Sequence, residues 1–260
     1  MLTLSQLGQF CGPNIVKNYP KNILVEYVQC EILDSIYKEK ESGQLGFMGG
    51  TAIRIVYQGN RFSEDLDFDN FGLSFTLFKK LLEKVERDMA AKGFEIEFRF
   101  IEKGAFHCFI KFPNILYNEK ISGYRGEKIL VRIDTVQKRK AIEPNLYALN
   151  KFDIYRNILV NPPDIILSQK LMAILGRKRE KGRDFYDVSY LYGFAEPNFE
   201  YIKNELRTEK KEFGEKLFKK CEKLNFMQLA KEVEPFLIKP DQIRRVVDFK
   251  GFIKQKLRLG

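Results

Sequence analysis

The chain has 260 residues, enough for one large domain or two smaller ones, and a formal net charge of +10 at pH 7. Its 44% hydrophobic and 31% charged residues are typical of a globular protein, and no apolar run approaches the roughly 20 residues of a membrane-spanning helix. Four scattered cysteines without a CxxC pair, and a single histidine, His107, leave almost no material for a zinc site or a histidine-based catalytic triad.

The first half of the chain alternates between helix-like and strand-like segments. It begins with MLTLSQLGQFCG, which lacks the basic and apolar regions of a secretory signal, so we expect a cytoplasmic protein. Apolar residues at helical spacing predict amphipathic helices over 23–41 and 75–92. Strands are predicted at 45–48, around 66–68, and at 94–100, 105–112 and 129–136. These elements predict an α+β domain, a mixed sheet flanked by helices.

After about residue 150 the pattern becomes mainly helical. Helices are predicted at 164–177, 183–193, 198–222, 226–235 and 240–257. The sequence thus predicts an N-terminal domain over residues 1–150 and a helical C-terminal domain over residues 151–260. The first carries 21 Lys and Arg against 19 Asp and Glu, and the second carries 24 against 16. The basic second half favours a polyanion such as nucleic acid, although a solvated, lysine-rich helix surface explains it equally well.

A glycine turn follows the first predicted strand, in LGFMGGTAIRIVY at residues 45–57. Gly49 and Gly50 have no side chains and Thr51 has a small one, so backbone N–H groups at a helix N-terminus are open to an anion. We therefore expect Gly49, Gly50 and Thr51 to bind phosphate. Such a turn on its own is also ordinary loop chemistry.

An acidic pair comes next along the chain, in RFSEDLDFD at residues 61–69. Strand alternation places Asp65 and Asp67 on one face, where the two carboxylates repel each other unless a cation lies between them. Mg²⁺ is the usual partner of such carboxylates. Asp134, in the predicted strand KILVRIDTV, is the best candidate for a third carboxylate, and Glu95 and Glu97 are its rivals.

The glycine turn and the acidic pair occur in the order seen in the polymerase-β-like nucleotidyltransferase superfamily. Within it, FMGGTAIRIVYQGNRFSEDLDF at residues 47–68 resembles the AbiEii family, toxins of bacterial toxin–antitoxin and abortive-infection systems. A second block agrees, with Lys170 on a predicted helix and an Arg-Asp-x-x-Asp pattern, containing Asp184 and Asp187, at the start of the next. The chain departs from the family at Ser168-Gln169, where an acidic residue commonly precedes the lysine.

The resemblance implies a nucleotidyltransferase, which moves a nucleoside monophosphate from a nucleoside triphosphate to an acceptor. The implied ligands of Mg²⁺ or Mn²⁺ are Asp65, Asp67 and Asp134. Asp134 would also accept the proton of the acceptor hydroxyl if no other base is close. Lys170 would add positive charge on the triphosphate, Asp187 would contribute to the same nucleotide site, and Asp184 would orient the lysine or the acceptor.

The resemblance also implies partners. We expect an RNA acceptor, transfer RNA in the first instance, and a cognate antitoxin of the winged-helix type encoded nearby. Two alternatives stay open: a non-catalytic relative that binds nucleotide or RNA and acts through its antitoxin, and a small-molecule transferase of the antibiotic-modifying type. Arg61 is either a phosphate contact or an exposed loop residue, and His107 is interpreted as a packed strand residue.

Overall fold

Residues 1–102, 105–138 and 142–257 are described by the computed structural model. They divide into two units, which are treated separately below. Unit 1 comprises Met1–Ala52 and Ser63–Val160, and unit 2 comprises Ile53–Phe62 and Asn161–Gly260. The chain therefore enters unit 2 for a short segment, returns to unit 1, and leaves it after Val160.

Unit 1 is built on a mixed β-sheet. Its strands are β1 (Leu45–Met48), β2 (Leu66–Asn70), β3 (Glu97–Glu102), β4 (Phe106–Phe112), β5 (Ile129–Gln137), β6 (Asn145–Lys151) and β7 (Ile154–Val160). The strand order is β3-β4-β5-β2-β1-β7-β6. The pairs β2/β5 and β1/β7 are parallel and the other neighbours are antiparallel. The predicted α+β class with a mixed sheet and flanking helices is confirmed.

Helices alternate with these strands along the chain. In the first part of the chain they are α1 (Leu4–Cys11), α2 (Pro13–Asn18), α3 (Pro20–Tyr37), α4 (Gly49–Ile55), α5 (Phe75–Ala91) and α6 (Ile115–Asn118). The central helix α3 packs against β5, β7 and α5, while α5 also packs against β3. Ser74 caps α5 by accepting a hydrogen bond from the Leu77 N–H, and the apolar residues that predicted this helix are buried.

Acidic side chains buried along α3 form ion pairs with basic side chains from neighbouring elements. Lys92 Nζ lies 2.9 Å from one carboxylate oxygen of Asp34, and Arg156 Nε donates to the other at 2.8 Å. Burial alone would raise the pKa of Asp34, but Lys92 and Arg156 outweigh burial and lower this pKa to about 2. Asp34 therefore stays ionised between α3 and its neighbours at neutral pH.

The sheet extends past the predicted limit of the strand region. Residues after about 150 were expected to be mainly helical, but β6 and β7 form an antiparallel hairpin whose turn consists of Phe152 and Asp153. The short apolar run of β6 fits either a helix or a strand, so its spacing is ambiguous. Strand pairing resolves this ambiguity. Strand β7 joins the sheet in parallel beside β1, with Phe47 opposite Val160, and β6 pairs with β7.

Unit 2 is helical. Its helices are α7 (Pro163–Gly176), α8 (Gly182–Leu191), α9 (Phe199–Leu206), α10 (Lys210–Cys221), α11 (Phe226–Val233), α12 (Arg244–Val247) and α13 (Phe249–Leu257). The single helix predicted over 198–222 is two helices, because Arg207 adopts a left-handed conformation with φ of 51°. Among the described residues no helix has the length and apolarity needed to cross a membrane.

Helix α8 is the centre of unit 2. It packs against α7, α11, α12 and α13. Its Phe185 ring makes edge contacts with Phe226 and Phe249, at centroid distances of 5.3 and 5.0 Å. Gly182 begins the helix so close to α11 that a Cβ there would meet the Leu229 carbonyl carbon at 2.8 Å. Glycine is therefore required where these two helices meet.

Candidate active site

Three predicted carboxylates lie together in unit 1. Strands β2 and β5 pair in parallel with Asp67 opposite Asp134, so their side chains share one face of the sheet. Asp65 lies two residues before Asp67 and belongs to the same face. All three are partly exposed, whereas the intervening Leu66 and Ile133 are buried on the opposite face. Strand alternation and the β2/β5 pairing thus bring the acidic residues into one group.

The two rival carboxylates lie elsewhere. Glu97 is exposed and pairs with Lys128, with 3.1 Å between Oε1 and Nζ. Glu95 precedes β3, is exposed, and accepts a hydrogen bond of 2.7 Å from Asn114. Of the three candidates, Asp134 is the one placed beside the acidic pair.

Two basic side chains that the sequence did not single out for this group contact the carboxylates. Arg132 donates a hydrogen bond of 3.0 Å from Nη2 to Asp65 Oδ2, and its Nε lies 2.9 Å from Asp134 Oδ2 as an ion pair without hydrogen-bond geometry. His107 Nδ1 lies 2.7 Å from Asp134 Oδ1, with the ring partly exposed. Arg132 could have been found from its spacing, because it lies two residues before Asp134 on the same strand. His107 needed the β4/β5 register, which places it opposite Asp134.

The glycine turn lies directly beside the acidic group. Gly49 has a φ of 79°, and a Cβ at this position would meet Asp67 Cβ at 2.9 Å, so only glycine leaves room for the Asp67 side chain. Gly50 is buried in the first turn of α4. Thr51 is fully buried, and its hydroxyl donates a hydrogen bond to the Asp65 carbonyl. The Thr51 side chain thus connects the glycine turn to the acidic segment, and phosphate binding by this turn stays a prediction.

The carboxylates offer oxygen ligands of the kind that Mg²⁺ and Mn²⁺ prefer. As they are arranged, however, the residues do not form a metal site: within the described ranges no three His, Cys, Asp or Glu side chains are grouped so as to hold an ion. The guanidinium of Arg132 instead lies against both Asp65 and Asp134. The chemistry of the donors fits a divalent cation, and their present arrangement does not.

Unit 2 contains the predicted lysine and the two aspartates of α8. Lys170 on α7 places its Nζ 3.0 Å from Asp184 Oδ1 and 2.8 Å from Asp187 Oδ2. Asp184 and Asp187 are one helical turn apart, so both carboxylates face α7. Burial alone would lower the pKa of Lys170, but the charges of Asp187 and Asp184 outweigh burial and raise it. Lys170 is therefore protonated at neutral pH, with its ammonium group held between the two carboxylates.

Arg61 is buried in unit 2 rather than exposed on a loop. Its Nε and Nη2 donate to the two carboxylate oxygens of Asp187 at 2.7 and 2.6 Å, and the two side chains are only 3% and 0% exposed. Burial alone would raise the pKa of Asp187, but Arg61 and Lys170 outweigh burial and lower it. Arg177 Nε lies 2.8 Å from Asp184 Oδ2. Three cations thus share two carboxylates, which leaves this group with excess positive charge.

The family model of the AbiEii nucleotidyl transferase toxin, type IV toxin–antitoxin system, matches residues 31–252. Among solved structures, the chain is similar to JHP933 and to a putative nucleotidyltransferase, both from Helicobacter pylori, at 17% identity. Their TM-scores are 0.55 and 0.56, and each match covers 92% of this chain and 94% and 96% of theirs. MenT4, a nucleotidyltransferase toxin of Mycobacterium tuberculosis, has a TM-score of 0.56 at 14% identity, over 99% of this chain and 89% of its own.

No curated protein matches the sequence significantly. The solved structures support the fold, and the family model covers most of the chain. The chain belongs to the AbiEii family of nucleotidyltransferase toxins of type IV toxin–antitoxin systems.

Proposed function

We propose that this toxin transfers a nucleoside monophosphate from a nucleoside triphosphate to a hydroxyl of an RNA acceptor, with transfer RNA as the first candidate. The new bond forms at the α-phosphate, the bond between the α- and β-phosphates breaks, and pyrophosphate leaves. The observation that supports this most directly is the group of Asp65, Asp67 and Asp134 on one partly exposed sheet face, beside the glycine turn at Gly49. Attack on an α-phosphate depends mainly on positioning and on neutralisation of negative charge. A shared acidic face suits that chemistry when it holds a divalent cation, and the turn beside it leaves the backbone open to phosphate.

Each carboxylate has a proposed role. With Arg132 withdrawn, Asp65, Asp67 and Asp134 would hold Mg²⁺ or Mn²⁺, which supplies charge neutralisation at the phosphates. Asp134 accepts the proton of the attacking hydroxyl, and His107, 2.7 Å away, orients its carboxylate. Thr51 and the glycines shape the backbone beside this face.

The proposed nucleotide-binding group of unit 2 is Lys170 with Asp184 and Asp187. Lys170 is 13% exposed and its pKa is raised by the neighbouring carboxylates, so it is charged at neutral pH. The group as a whole has more cations than carboxylates, so it can accept a polyphosphate. Asp184 and Asp187 fix the direction of the ammonium group. Asp187 is a positioning residue, because Arg61 and Lys170 engage both of its oxygens.

An RNA acceptor is supported by charge. Residues 151–260 carry 24 Lys and Arg against 16 Asp and Glu, and Lys178 and Arg179 after α7 are exposed. We further propose a winged-helix antitoxin as the partner. Co-expression of the adjacent gene should relieve the growth inhibition that the toxin causes alone.

The test is transfer of label from each α-³²P nucleoside triphosphate, with Mg²⁺, to total RNA, to transfer RNA and to cell protein. Wild-type protein should label RNA, and Asp65→Ala and Asp67→Ala should lose at least 100-fold of the rate, because removal of one carboxylate weakens binding of the cation that would neutralise the phosphate charge. Asp153→Ala is the matched control, since Asp153 is an exposed aspartate in the β6–β7 turn. It should retain wild-type activity.

The same assay separates the alternatives. Label on protein or on a small acceptor would replace RNA as the substrate and leave the transferase proposal standing. Equal labelling by wild type and both aspartate variants would refute a catalytic role for this acidic group. Absence of transfer to every acceptor, together with antitoxin-dependent binding of nucleotide or RNA, would favour a non-catalytic relative.

A further inference from the structure

Arg132 is a counter-ion of two carboxylates in the acidic group. One guanidinium lies 3.0 Å from Asp65 Oδ2 and 2.9 Å from Asp134 Oδ2, so it spans two of the three proposed metal ligands. Arginine is charged at every pH at which a protein is folded. In the absence of metal it therefore relieves the repulsion between carboxylates that share one sheet face.

We propose that Arg132 and a divalent cation are alternative counter-ions of Asp65 and Asp134, so that Arg132 must withdraw before the metal binds. This inference rests on the proposed function, which requires a metal at these carboxylates. Mg²⁺ and Mn²⁺ bind carboxylate oxygens directly, at about 2.0–2.2 Å, and the guanidinium already engages two of those oxygens. The two cations would therefore compete for the same oxygens.

The geometry also permits Arg132 to leave. Its side chain is 37% exposed, and its Nε contact to Asp134 lacks hydrogen-bond geometry. Ion pairs of this exposure are weak because water solvates both partners. A long, partly exposed side chain on β5 can turn into solvent without moving the strand, whereas the divalent cation offers the carboxylates a stronger interaction.

The test is direct binding of Mn²⁺ to the full chain without nucleotide, measured from the free Mn²⁺ signal in electron paramagnetic resonance. Arg132→Gln should bind Mn²⁺ about tenfold more tightly than wild type, equivalent to about 1.4 kcal/mol. Arg99→Gln is the matched control. Arg99 lies in line with Arg132 across β4, on the same exposed face, and its removal subtracts the same charge. Arg99→Gln should change the Mn²⁺ affinity by no more than about twofold, because Arg99 lies two strands away from Arg132 and its charge is screened by water and salt.

Thermal unfolding in EDTA provides a second readout. Arg132→Gln should melt below wild type without metal, because the carboxylates lose their counter-ion, and Mn²⁺ should raise its melting temperature more than that of wild type. If Arg132→Gln does not fold, Arg132→Lys replaces it. Its Mn²⁺ affinity should lie between that of wild type and the tenfold tighter binding expected for Arg132→Gln.

Equal Mn²⁺ affinities for wild type and the Arg132 variant, or no binding to either, would overturn competition between Arg132 and the metal. The outcome is separate from that of the labelling assay. Transfer of label with equal Mn²⁺ affinities refutes only the competition, whereas tighter Mn²⁺ binding by the variant without transfer to any acceptor refutes only the proposed function.

Discussion

Replacing Arg61 by methionine should destabilise unit 2 by about 3 kcal/mol, because it leaves a buried carboxylate with an incomplete set of partners. Arg61 donates two hydrogen bonds to Asp187, at 2.7 and 2.6 Å, and a third to the Phe62 carbonyl at 2.9 Å. Both members of the ion pair are almost completely buried, so water cannot replace these bonds.

The expected loss of stability depends on the contacts that Asp187 keeps in the variant. Breaking a buried ion pair by removing one partner typically costs about 3–5 kcal/mol. Lys170 still contacts Asp187 at 2.8 Å and methionine fills part of the vacated volume, so the lower end of that range applies. Arg61→Lys keeps the charge but cannot donate to both carboxylate oxygens, so its loss should be smaller, about 1–2 kcal/mol.

Urea unfolding followed by circular dichroism measures this effect. With a slope of about 2 kcal/mol per M, the unfolding midpoint of Arg61→Met should fall by about 1.5 M. Lys216→Met is the matched control in unit 2, because Lys216 forms an exposed ion pair with Glu212, and its midpoint should not change. An Arg61→Met midpoint equal to that of wild type would refute the argument that this buried pair stabilises the unit.

Three further outcomes are expected in unit 1. Gly49→Ala should reduce nucleotidyl transfer at least tenfold, because its Cβ would displace Asp67 and its φ of 79° disfavours alanine; Gly123→Ala, with open space and no positive φ, should be neutral in the same labelling assay. Thr51→Val should lower the free energy of unfolding by about 1–2 kcal/mol in urea titrations, since a buried hydroxyl loses its hydrogen bond to a carbonyl. Asp34 should contribute stability above its unfolded pKa of about 4 and lose it as the pH falls towards its folded pKa of about 2. The difference in urea midpoint between wild type and Asp34→Asn should therefore be largest near neutral pH and shrink between pH 4 and 2; a constant difference would show that the charge of Asp34 does not stabilise the fold.

Local pattern predicted much of unit 1. Helix α5 and strands β1, β2, β4 and β5 follow from apolar spacing, which records directly which side chains are buried. The β6–β7 hairpin was missed because its apolar residues fit two periods, and only its pairing beside β1 resolves them. The interruption at Arg207 was missed because a left-handed arginine has no strong sequence signal.

In the candidate site, too, some features were predicted from local sequence and others required the tertiary structure. Spacing alone placed Asp65 and Asp67 on one face and identified Gly49 as a position without a side chain. Spacing also places Arg132 beside Asp134, but its contact with Asp65 and the contact of Arg61 with Asp187 required the tertiary structure, since they join residues 67 and 126 positions apart. An isolated arginine in a sequence gives no indication of a partner so distant.

The sequence by itself determined the α+β class, the same-face acidic pair and the glycine turn, because backbone periodicity and the absence of a Cβ act within a few residues. Only the tertiary structure decided that Asp134 lies opposite Asp67, that Arg132 spans two carboxylates, and that a buried arginine fixes Asp187. These contacts depend on strand order and helix packing, which are set by burial of side chains far apart in the chain.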